Sequence, residues 1–156
     1  MGAAAPAFTV AMGAAQYKAQ GEIGKFNQRV NNRNALILEN QADQIEQKAE
    51  FDIAQFEKNF IKIEGETKVA LAKSGVVMDS GSAYNIMLSN AYEAQLQENL
   101  IRYNSQVAAA NKMEEANFAR IKGTMARNES KLAQIQTVAQ TGSNLYSMMN
   151  KPKGTV

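Results

Sequence analysis

The chain has no cysteine, no histidine and no tryptophan. Without cysteine there are no disulfides, no thiol nucleophiles and no thiolate metal sites. The chain can therefore cross between oxidising and reducing spaces unchanged. Without histidine there is no imidazole ligand or imidazole general base. Proline occurs twice, as Pro6 and Pro152, both at the extremes. Between them every residue keeps its backbone donor, so nothing there forbids helix. No apolar run alternates with a period of two, so no strand is expected. The start, "MGAAAPAFTVAMGAA", has no basic residue before Lys18 and does not read as a secretory leader. It also fails as a myristoylation site, because position 6 is Pro6 where serine or threonine is needed.

What fills the 156 residues is alanine, glutamine, glutamate, lysine, leucine and methionine, all strong helix formers. The one clear interruption is "AKSGVVMDSGSAYNIM", residues 72–87, with two glycines and three serines. The expected fold is all-α. A single domain, 1–156, would form a long antiparallel helical hairpin that assembles with other subunits. The first helix is expected over 16–71, the loop over 72–82, the second helix over 83–149 and a tail over 150–156. Gly21, Gly24 and Gly65 are candidate breaks in the first helix, each costing about 1 kcal/mol. Asp79, Ser80 or Ser82 would cap the second helix by accepting an orphan N–H.

Each helix carries an apolar stripe at steps of three and four. On the first it runs through Phe26, Val30, Ile37, Ala42, Ile45, Ala49, Phe56, Phe60 and Ile63. The second carries Met87, Leu88, Ala91, Leu96, Tyr103, Val107, Ala110, Ile121, Met125, Leu132, Ile135, Ala139, Tyr146 and Met149. Eleven-residue steps recur in both, so the stripes share a period. The expectation is that the two stripes pack on each other. Two such helices bury a seam and no globular core, which points to an assembly component. The alanines Ala108, Ala109 and Ala110 are expected to contact other subunits.

Folding the chain about residue 77 sets position n across from about 154 − n. Lys18, Lys25, Arg29 and Arg33 then meet Arg120, Lys122, Arg127 and Lys131, forming a basic collar. The middle of the first helix is acidic, with Glu39, Asp43, Glu46, Glu50, Asp52 and Glu57. Beyond the collar, residues 1–17 and 132–150 carry no charge. An uncharged tip above a basic collar suits an anionic membrane surface. The collar also suits phosphates of packaged DNA. A third possibility is a solvated surface, with the ends packed on neighbouring subunits. Neither end is a transmembrane helix by itself: the first is too short and the second holds Gln134, Gln136, Gln140 and Asn144. No catalytic, cofactor or metal constellation is found, no small-molecule substrate is expected, and the chain does not read as an enzyme.

The run "LAKSGVVMDSGSAYNIMLSNAYEAQLQENLIRYNSQVAAANKMEEANFAR" resembles the small internal virion protein of short-tailed bacteriophages (podoviruses of the autographivirus type), also called a core or ejection protein. The resemblance is carried by Ser74, Gly75 and Val76, by Gly81 and Ser82, by Asn90 and Ala91, and by Ile101, Arg102, Tyr103 and Asn104. It is best over about residues 70–125. It implies a homo-oligomeric ring inside the capsid, stacked above the portal with larger internal virion proteins. On infection such a protein leaves through the tail and helps to form a channel across the host envelope, the small member acting at the outer membrane. The alternative is a purely structural coiled-coil adaptor or scaffold with no membrane role. A secreted helical-hairpin effector is disfavoured, since that type carries a Trp-x-Gly turn.

Overall fold

The computed structural model describes residues 4–76 and 81–150. Two long helices, α1 (Ala4–Lys73) and α2 (Gly81–Met149), pack against each other as an all-α helical hairpin. No strand occurs among the described residues.

α1 starts at Ala4 and not at residue 16. Pro6 permits this, because it lies in the first turn, where its missing N–H would have had no helical partner. None of Gly21, Gly24 or Gly65 breaks α1. At its other end α1 runs to Lys73, two residues past the expected boundary. Gly75, at φ +77°, then stops it. The Val76 N–H donates to the Leu71 carbonyl at 3.3 Å and the Gly75 N–H to the Ala72 carbonyl at 3.2 Å. That pair of bonds is the Schellman closure, with glycine at the left-handed position. Ser74 adds a hydroxyl bond to the Leu71 carbonyl at 2.7 Å. α2 opens at Gly81, at φ +64°, so Ser82 lies inside the helix and does not cap it. The other two candidate caps, Asp79 and Ser80, lie outside the described residues.

The chain divides into two compact units. Unit 1 is Met1–Ile37 with Glu115–Val156, and unit 2 is Leu38–Glu114. Both are made of α1 against α2. In unit 1 the buried positions are Gly13, Gly24 and Ala35 on α1, and Ala116, Gly123 and Thr137 on α2. In unit 2 they are Ala42, Ala49 and Ile53 on α1, and Ala83, Ala94 and Ala109 on α2. Nearly all are glycine or alanine. Their steps are eleven and seven: Gly13, Gly24 and Ala35; Ala35, Ala42 and Ala49; Ala83 and Ala94; Ala109, Ala116 and Gly123. Both steps return to one side of a helix.

This seam corrects the expected packing. Of the two large apolar stripes, only Ala42 and Ala49 are buried. Ile45, Phe56 and Phe60 are half-buried, and Phe56 stacks on Phe60 at 6.5 Å. Phe26, Val30, Ile37, Ile63, Leu88, Leu96, Tyr103, Val107, Ile121, Met125, Leu132, Ile135, Tyr146 and Met149 are all exposed. The small residues win the interface because they let the backbones close in, and large side chains then have no room between them. Ala109 is likewise corrected. It is 3% exposed and belongs to the hairpin's own seam, so it is not free to contact another subunit.

The glycines of unit 1 show how tight the approach is. A Cβ on Gly13 would collide with Thr141, on Gly21 with Gln134, and on Gly24 with Ser130. At Gly123 it would meet Asn31 Cβ at 3.1 Å and the Gln28 carbonyl at 3.2 Å. These partners obey the register in which n faces about 154 − n. Gly65, in contrast, has open space around its missing Cβ.

Two substitutions of glycine in α1 are expected to have opposite signs. Gly24→Leu overpacks against Ser130 and should cost about 1–3 kcal/mol. Gly65→Ala should stabilise by about 0.5–1 kcal/mol, since it removes backbone freedom from an open helical site. Urea unfolding followed by circular dichroism reads both, and equal signs would contradict the seam. At the helix stop, Gly75→Ala forces a side chain into the left-handed region and should cost about 1–2 kcal/mol in the same measurement.

Candidate anionic-surface interface and apolar tip

Unit 1 holds all eight residues of the expected collar. Its sequence carries ten lysines and arginines against three acids, Glu22, Glu115 and Glu129, a net charge of +7. Unit 2 carries seven basic against twelve acidic residues, a net charge of −5. The near-neutral chain is thus two strongly charged units of opposite sign.

Seam geometry decides where the cations point. Gly24 and Ser130 face each other across the pair. In an antiparallel pair, the residue after each seam position turns about 100° to the same flank. Lys25 follows Gly24 and Lys131 follows Ser130, so they share a flank. Lys18 and Arg29 lie seven before and four after Lys25, and Arg127 and Arg120 lie four and eleven before Lys131, so all four join that flank. Lys122 precedes Gly123 and lies on the opposite flank, as do Glu115 and Glu129. Arg33 lies on the back of α1, away from the seam, while Glu22, four residues after Lys18 and three before Lys25, borders their flank. The collar is therefore not a ring of charge. Six cations share one flank, with the single acid Glu22 at its edge. Arg127 is half-buried and the other five are exposed.

Behind this face the seam is polar as well as small. Ser130 donates its hydroxyl to the Gln20 carbonyl of α1. Gln134 Nε2 donates to the Tyr17 carbonyl at 2.8 Å. Thr137 is 2.9 Å from Gln20 Oε1 and 3.0 Å from the Ala133 carbonyl, either of which can accept its proton. The Ser130 and Gln134 bonds each use a second lone pair of a backbone carbonyl that α1 already engages. They pin α2 to α1 beside the cations and so hold the charged side chains' stems in register. The sequence reading missed these residues. The signal was present, as glycines at 13, 21 and 24 paired by register with hydroxyls and an amide at 141, 134 and 130.

Beyond the cations, the uncharged part of unit 1 exposes Phe8, Val10, Met12, Tyr17, Val138, Tyr146, Met148 and Met149. An open groove of about 450 Å³ runs between Val10, Gly13, Ala14 and Tyr17 of α1 and Val138, Thr141, Gly142 and Leu145 of α2. Among the described residues no helix is long and apolar enough to cross a membrane.

The residues that carry the phage resemblance lie in unit 2, apart from the cations. Ser74, Gly75 and Val76 are the stop of α1, and Gly81 and Ser82 begin α2. Asn90 borders a groove with Phe56, Phe60 and Ile63, and Ala91 beside it is exposed. Ile101 is half-buried and, with Asn104, lines a groove against Ile45 and Ala49. Arg102 lines another groove with Glu46 and Glu50. Tyr103 is exposed. They are elements of the fold and do not converge on one site.

Comparison with protein families, with characterised proteins and with solved structures gives no match.

Proposed function

We propose that this chain is an internal virion (core) protein of a podovirus, ejected on infection to help form a channel across the host outer membrane. The observation that carries the reading is the construction of unit 1: an uncharged apolar end beside a face of six cations. Anionic headgroups attract such a face while apolar side chains enter the interface. The resemblance over residues 70–125 supplies the biological setting. In the virion the chain forms a ring above the portal and contacts larger internal proteins. A lone hairpin with this much exposed apolar surface favours such company. Since no helix among the described residues is long and apolar enough to span, a channel on this reading needs several copies whose polar faces line water.

The adaptor reading keeps one observation on its side, the exposed apolar back of α2, which any helical partner could cover. Dye release from vesicles containing anionic lipid or lipopolysaccharide separates the two. Wild type should bind and release dye, less so as salt rises. Replacing Lys18, Lys25, Arg29 and Lys131 with glutamine removes about 1 kcal/mol each and should weaken binding several hundred-fold. Deleting residues 1–15 should spare binding and reduce leakage. If wild type releases no dye at any lipid composition, the membrane reading fails and the adaptor stands. Salt-dependent binding to duplex DNA without dye release would place the cations on packaged genome instead.

A further inference from the structure

The outer face of α2 has the pattern of a second helix–helix seam. In unit 1, Phe118, Ile121, Met125, Leu132 and Ile135 recur at steps of three, four, seven and three, with Asn128 in the gap. Each lies two residues before or after a seam position (Ala116, Gly123, Ser130 or Thr137), which is about 200° round the helix. All five are more than half exposed. In unit 2, Tyr92 and Leu96 flank Ala94, and Tyr103 and Val107 flank the half-buried Ser105, in the same way. These four are exposed too. Each unit therefore presents a strip of large apolar residues directly behind a small-residue seam, at the spacing by which helices interlock.

We infer that a second copy of this chain covers these strips, with the α2 back of unit 1 in one copy docked on the α2 back of unit 2 in the next. Charge favours one pairing. On α2 itself, unit 1 carries four cations (Arg120, Lys122, Arg127 and Lys131) against two acids (Glu115 and Glu129), a net +2, and unit 2 carries two cations (Arg102 and Lys112) against three acids (Glu93, Glu98 and Glu114), a net −1, with the larger charges of the same signs on α1 behind them. Unit 1 against unit 2 brings opposite charges together and buries apolar strips of similar width. Complementary charge sets register and suppresses wrong partners even where it adds little affinity. Copies joined in this way are staggered. The inference rests on the self-assembling part of the proposed function and names its contact.

The absence of cysteine makes the test clean. Leu96→Cys and Met125→Cys put single thiols at the centres of the two strips, on exposed positions that the fold does not need. Oxidised as a mixture at micromolar concentration, they should give the mixed 96–125 disulfide at least about fivefold over either homodimer. Raising salt from about 50 to 500 mM should bring the mixed product down toward the statistical ratio of about twofold over either homodimer, as screening removes the charge selection. Preferential Met125→Cys homodimers, a salt-insensitive product ratio, or a chain that sediments as a monomer at about 100 µM would each overturn the inference. A chain that still releases dye from vesicles while giving no mixed disulfide loses this contact and keeps the channel reading.

Discussion

Everything in this hairpin follows from how closely α1 and α2 approach. Glycine at 13, 24 and 123 and alanine at 35, 42, 49, 83, 94, 109 and 116 leave no side chain to hold the helices apart. The backbones then come near enough for Ser130 and Gln134 to reach carbonyls of the opposite helix. Such a seam buries little apolar surface per residue, so the hydrophobic term holding it is small. Dispersion at close contact and the cross-helix hydrogen bonds take a larger share than in a leucine-rich pair.

The same closeness expels the large residues. Phe118, Ile121, Met125, Leu132 and Ile135 cannot enter a groove shaped for glycine and alanine, and they stand on the far side of α2. A protein built in this way is stable enough to hold its helices in register but leaves its main hydrophobic resource unspent. That surface is available to neighbours, whether copies of the chain, larger proteins or a lipid interface.

The two units divide the remaining work by charge and by the chemistry of their seams. Unit 1 joins small residues with hydroxyls and an amide, carries +7 and ends in an uncharged apolar groove. Unit 2 is sealed mostly by alanine with Ile53, carries −5 and contains the glycine-stopped end of α1. A net charge of +2 for the whole chain hides this separation.

The sequence by itself determined the helical class, the position of the turn and the register in which n faces about 154 − n. Those depend on local quantities: propensity, the glycines at 75 and 81, and the lengths of chain on either side. It also located the cations and the uncharged ends, because charge is legible residue by residue. It did not determine which stripe would be inside. Periodicity marks the large apolar residues of α2 as sharing a face, but it cannot say whether that face looks inward or outward. Only the packed pair decides this, because the closeness of two backbones is set jointly by glycines on one helix and hydroxyls on the other. Once Gly24 meets Ser130 and Gly123 meets Asn31, the face toward α1 is taken. Phe118 and Ile135 are then left outside, and six of the eight cations turn to a single flank.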